Sequence, residues 1–160
     1  MSAGSPTRPH PEPHPAGAFP LPVARLGRSG RIGLLIAALV VLAVLGIARW
    51  LRPDPSGFGT HQQLGLLPCP FRSITGYGCP SCGMTTAFAW FVRGRLDASW
   101  QTNPAGCLLA GACVAMIPWM LFGAASGRAW GVRSLDDAFL RLLVAAAAVT
   151  LVVWVGRAFF

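Results

Sequence analysis

IGLLIAALVVLAVLGIA, residues 32–48, is the stretch whose reading decides the fold, because no charged side chain interrupts it. At a rise of about 1.5 Å per residue, a run of this length comes close to the minimum that crosses a bilayer, and Trp50-Leu51 extends it. Arg25, Arg28 and Arg31 stand before it and Arg49 and Arg52 after it, as anchors at two headgroup layers would. A cleaved signal peptide is the rival reading. About thirty residues precede the run and no clear small-x-small cleavage site follows it, so a signal anchor fits better.

Two more apolar runs follow, and the spans are expected at about 32–51, 104–125 and 138–156. The second opens Asn103-Pro104, where Asn caps free amides and Pro suits the first helical position. Pro118 inside it should kink the helix and free a carbonyl near Val114. Gly106, Ala110, Gly111 and Ala115 place small residues on the helix where another helix could approach closely. Asp136-Asp137 favours the start of the third span, with Asp137 one turn from Arg141. Three crossings put Trp50, Trp100 and Trp154 on one side, as an interfacial aromatic belt requires.

The composition agrees with a membrane protein: 54% of residues are hydrophobic and 11% charged, far from an average soluble domain. The net charge of +8 comes from arginines alone, scattered between apolar blocks rather than gathered on one face. That distribution argues against a nucleic-acid surface. The arginines divide almost evenly between the two sides, and the local excess in the tail favours a cytoplasmic N-terminus. The expected location is a membrane, multi-pass, with the bilayer as first partner and another membrane protein or a second copy beyond it.

The first 30 residues read as a disordered tail, with prolines at positions 6, 9, 11, 13, 15, 20 and 22, and residues 31–160 as the membrane domain. His10 and His14 bracket Pro11-Glu12-Pro13 and read as solvated tail residues rather than ligands. Residues 53–103 form a cysteine-containing linker between the first two spans. Within it, residues 84–92 are apolar and helical in pattern yet too short to cross a bilayer. The fold class is therefore all-α integral membrane, with three transmembrane helices and a short re-entrant or interfacial helix starting at the Cys-Pro-x-Cys motif. Residues 96–102 are expected as a second short helix.

Cys79-Pro80-Ser81-Cys82-Gly83 gives the linker its chemistry, with Cys69 upstream. Three roles are open. Cys69, Cys79 and Cys82 could hold a soft metal such as zinc, with His61 as fourth ligand, although a second Cys-x-x-Cys pair is missing. Cys79 and Cys82 could instead be redox-active, Cys82 lying in the first turn of a helix whose dipole stabilises a thiolate. The third role is structural, as packing or as a disulfide. Thr85 and Thr86 are expected to bond back to carbonyls of the preceding turn. Cys107 and Cys113 point about 120° apart on a helix and read as packing residues.

These residues also carry a resemblance. Cys69-Pro70, Thr75-Gly76, Cys79-Pro80-Ser81-Cys82-Gly83-Met84-Thr85, Gly94 and Asn103-Pro104 resemble a bacterial membrane family known as domain of unknown function 2752. Many of its members carry Arg where this chain has Thr86. The resemblance implies a small multi-span protein of the bacterial inner membrane and supplies no activity.

No phosphate loop, nucleophile elbow or paired-histidine motif accompanies the cysteines, and Asp97, Asp136 and Asp137 are better explained as helix-start residues. The leading functional expectation is a non-enzymatic scaffold or partner subunit with a structural cysteine cluster. The alternative is a metal-binding or thiol-redox protein acting through the Cys-x-x-Cys pair.

Overall fold

The computed structural model describes residues 23–159, so His10, His14 and residues 1–22 of the expected tail lie outside the described residues. From position 23 the chain has regular structure. A short strand, β1 (Val23–Arg25), leads into helix α1 (Arg28–Trp50), so the boundary expected at residue 30 falls inside a helix. The linker carries a 3-10 turn (Thr60–Leu64), α2 (Pro70–Thr75), α3 (Met84–Phe91) and α4 (Leu96–Thr102). Helix α5 (Pro104–Ser126), strand β2 (Arg128–Trp130) and α6 (Leu135–Phe159) complete the chain.

Helices α1, α5 and α6 are long and apolar enough to cross a membrane. They make this an all-helical, multi-pass membrane architecture with one small two-stranded ribbon. The ribbon pairs Ala24 with Ala129 in antiparallel register and ties the start of α1 to the end of α5. Neither strand was visible in the sequence, because three residues are too few to show an alternating pattern.

Helices α1 and α5 pack along their length. Leu34 and Ala38 meet Met120 and Ala124 at the ribbon end, and Ala48 meets Phe88 and Ala110 at the linker end. Between lipid-facing helices apolar area supplies little net drive, so close approach matters more. Small residues provide it: a Cβ on Gly123 would sit 3.0 Å from Leu34 Cδ1, and one on Gly106 would sit 2.9 Å from Ala87 Cβ. Gly106 thus admits α3 against the first turns of α5. The small-residue face expected on α5 is used for that contact.

Helix α3 is enclosed: Thr86, Ala87, Phe88 and Ala89 are all buried, with α1, α4 and α5 around them. It starts just after the Cys-Pro-Ser-Cys turn, as expected, and sits among protein neighbours. Helix α6 is the opposite case, with none of its most apolar stretch buried and α5 as its helical neighbour. Asp137 pairs with Arg141 at 2.7 Å in its first turns. Helix α5 continues unbroken through Pro118.

Two arginines do more than anchor. Arg93 donates to the carbonyls of Ala48, Arg49 and Leu51 at the end of α1, and to Ala89 in α3, at 2.6–3.1 Å. Arg31 reaches the carbonyls of Ala124 and Ala125 at the end of α5, at 2.6 and 3.1 Å. Each satisfies carbonyls that a helix end leaves without partners, where the negative end of the helix dipole attracts a cation.

Candidate functional site

The linker folds over the end of the bundle formed by the finish of α1, the start of α5 and the finish of α6. Asp54 begins it as a turn, its Oδ1 accepting from the amide and hydroxyl of Ser56 at 2.8 and 2.7 Å. Those two bonds, the hydroxyl's first, hold the Asp54 carboxyl below its ordinary value. The amide of Asp54 donates to Thr60 Oγ1, and Thr60 shares a 2.7 Å hydroxyl–hydroxyl bond with Thr86 in α3. Both threonines are fully buried. Thr86 therefore does not bond back along its own helix as the sequence suggested. A partner 26 residues upstream takes its hydroxyl.

Cys69 stands at the start of α2, with Pro70 in the first helical position and Gly76 ending the helix in a left-handed conformation. Cys79 and Cys82 bracket a turn in which the Cys82 amide donates to the Cys79 carbonyl at 2.9 Å. Gly83 closes that turn at φ +82°, and a Cβ there would meet the Gly57 carbonyl oxygen at 2.9 Å, so backbone angle and space both select glycine. Asn103 pins the turn from below. Its Nδ2 donates to the Cys82 carbonyl at 3.0 Å, while its Oδ1 accepts from the Gly106 amide at 3.0 Å as the α5 cap. The cap was legible in the sequence; the bond to Cys82 was not.

The result is convergence. The sulfurs of Cys69, Cys79 and Cys82 all lie within 4.8 Å of one another, and those of Cys79 and Cys82 are 3.4 Å apart. All three thiols line a cavity of about 660 Å³ whose other walls include Asp54, Ser56 and Arg72. His61 lines the same cavity but is not one of the converging residues; its Nε2 lies 3.2 Å from the Leu67 carbonyl oxygen. Cys107 and Cys113 are free thiols on α5, apart from the cluster.

The electrostatics of the cluster reverse one expectation. Cys82 lies ahead of α3 rather than in its first turn, and burial, aided by the neighbouring Cys79 thiol, pushes its thiol up to about 11. Cys69 takes the helix-start position instead. The backbone amide of Arg72 in α2, and then the Cys79 thiol, lower its pKa. The sequence missed this because α2, at six residues, has no periodicity to read.

A second cavity, about 610 Å³, shares Phe58, Cys79 and Cys82 with the first. Phe58, Phe71, Tyr77 and Trp154 line it with Cys79 and Cys82. Trp154, near the end of α6, donates its indole N–H to the Gly78 carbonyl at 2.9 Å and holds α6 against the cysteine turn.

No curated protein and no solved structure matches the chain. Residues 69–117, from the first of the three clustered cysteines into α5, match the model of a family described as a protein of unknown function, DUF2752.

Proposed function

We propose that this chain is a non-enzymatic membrane subunit whose linker is locked by one soft metal ion, held by Cys69, Cys79 and Cys82. The observation that carries the reading is the mutual approach of three sulfurs to within 4.8 Å. With a Zn–S bond of about 2.3 Å, the sulfurs of a tetrahedral site stand about 3.8 Å apart. Closing the cluster onto an ion needs shifts of about 1 Å at most, within the reach of side-chain rotation. A disulfide would use two of the sulfurs and strand the third. Packing alone does not account for three thiols lining one open cavity.

His61 is the fourth ligand in this proposal. If Nε2–H donates to the Leu67 carbonyl, the lone pair on Nδ1 is free for the ion, and the carbonyl fixes the tautomer. Water or a group from another subunit is the substitute. The ion then ties together the 3-10 turn, α2 and the turn before α3, which no hydrophobic core does for this linker. The rigid knob so formed is where another membrane protein or a second copy docks. The proposed setting is the bacterial inner membrane with the N-terminus cytoplasmic, which places the knob on the far side.

The thiol-redox alternative draws on the 3.4 Å separation of Cys79 and Cys82. The raised Cys82 pKa disfavours that sulfur as the attacking thiolate, a cost that a bound metal ion would offset directly and a disulfide exchange would not. Elemental analysis of detergent-purified protein, with free-thiol counting, separates the readings. About one metal ion per chain, lost in Cys69→Ser, Cys79→Ser or Cys82→Ser, is the expected result. Metal-free protein with two cysteines oxidised refutes the metal and favours a disulfide; metal-free protein with every thiol free favours packing.

A further inference from the structure

The part of the linker that joins the 3-10 turn to the cysteine turn exposes its apolar side chains. Leu66 is 56% exposed, Leu67 and Ile74 are each 84% exposed, and Tyr77 is 72% exposed. Helix α2 has no buried residue at all. Contiguous apolar surface of this kind, outside the spanning helices, marks an interaction face rather than a solvated loop. It differs from α3, whose apolar residues are consumed by α1, α4 and α5.

Its position says what covers it. Phe71 and Tyr77 form one wall of the aromatic cavity and Trp154 of α6 forms another. The Trp154–Gly78 hydrogen bond makes this face continuous with the exposed apolar surface of α6, where Val152 is 71% exposed. A surface continuous with a lipid-facing helix, edged by tryptophan and tyrosine, lies at headgroup depth. Arg157 lines the cavity and Arg72 stacks over Phe58 at 3.7 Å, placing guanidinium groups beside the aromatic rings where phosphates would sit.

We propose that residues 64–77 lie in the bilayer interface and that a phospholipid acyl chain occupies the cavity lined by Phe71, Tyr77 and Trp154. The lipid forms an apolar wall of the cysteine cluster, because Cys79 and Cys82 line that cavity as well as the polar one beside Asp54 and Arg72. The cluster then has one face toward water and one toward lipid. This holds whether or not the thiols carry a metal, and it leaves the cavity-facing side of the linker, by Asp54 and His61, rather than residues 64–77, as the docking face of the proposed subunit.

The test uses the full chain reconstituted in vesicles of phosphatidylglycerol and phosphatidylethanolamine, doped with phospholipid carrying a photoactivatable acyl chain. Cross-linked lipid is mapped by peptide mass spectrometry. The expected result is labelling of the peptide spanning 64–77 comparable with that of α6, and its loss in Leu67→Glu/Ile74→Glu while α6 labelling and the free-thiol count stay unchanged. Labelling confined to α1, α5 and α6 in the unaltered chain overturns the proposal, and that readout needs no variant to fold. Protein–protein cross-links at 64–77 in place of lipid adducts overturn it in favour of a second copy covering the face.

Discussion

Asn103 carries two jobs with opposite ends of one amide, and the two can be separated. It is 1% exposed, accepts from the Gly106 amide through Oδ1 and donates to the Cys82 carbonyl through Nδ2. Asn103→Ala removes both bonds. Loss of the cap costs about 1 kcal/mol. Stranding the Cys82 carbonyl costs about 1–3 kcal/mol more, for a total of about 2–4 kcal/mol. Asn103→Asp keeps the acceptor for Gly106 but, when ionised, sets a carboxylate oxygen against the Cys82 carbonyl, so above neutral pH it should lose the second part and add the cost of burying a charge. Thermal denaturation in detergent ranks the variants, and a zinc titration reads the cluster. If the carbonyl bond orients the cysteine turn, both variants should bind zinc about 10–100-fold more weakly. An aspartate variant with unaltered stability and zinc affinity would refute the pinning role, leaving Asn103 a helix cap and nothing more.

The buried hydroxyl pair gives a second test: Thr86→Val strands Thr60 Oγ1 on one side and should cost about 1–3 kcal/mol, whereas Thr60→Val/Thr86→Val should recover much of that loss. Recovery is incomplete because the Asp54 amide also donates to Thr60. A third test is pH. The Cys82 thiol is raised in the fold to about 11 from an ordinary 9.0, so its contribution to metal-free stability is fully present below pH 9 and lost as pH rises through about 11. Metal uptake near pH 7 should accordingly release protons, Cys82's among them, and tighten as pH rises; calorimetry in buffers of different ionisation enthalpy checks it.

What the sequence disclosed follows the range of the signals it carries. Spans of 23 residues or more leave an apolar pattern too long to mistake, and the Asn-Pro start of α5 and the acidic start of α6 are local chemistry that survives into the structure. The cysteine pair was legible as a pair because two residues of separation confine it to one turn. Long-range placement was not legible. Sharing the linker with the pair marks Cys69 as a possible third ligand, and the three sulfurs do come together, but the fold of the intervening chain that brings them there left no mark. Nothing near Arg93 says that it crosses to the end of α1. The same applies to Thr60 and Thr86. In each case the determinant is a partner on another element, and a single sequence records the residue but not the partner.

The charge of the cluster gives the last step. Three thiolates around a divalent ion leave one net negative charge, and a low-dielectric site needs a cation nearby or a neutral ligand set. The resemblance noted in the sequence would put an arginine at position 86, yet here that position is a buried threonine bonded to Thr60. A guanidinium at this site would have to displace the Thr60 hydroxyl and would lie inside the packing of α3. Arg72 lines the cysteine cavity instead, from the helix that Cys69 begins. Its side chain is stacked on Phe58 at 3.7 Å, so the cation is held beside the cavity without entering the core. In the proposed metal-bound state Arg72, on the helix that Cys69 begins, is the cation placed to supply the counter-charge.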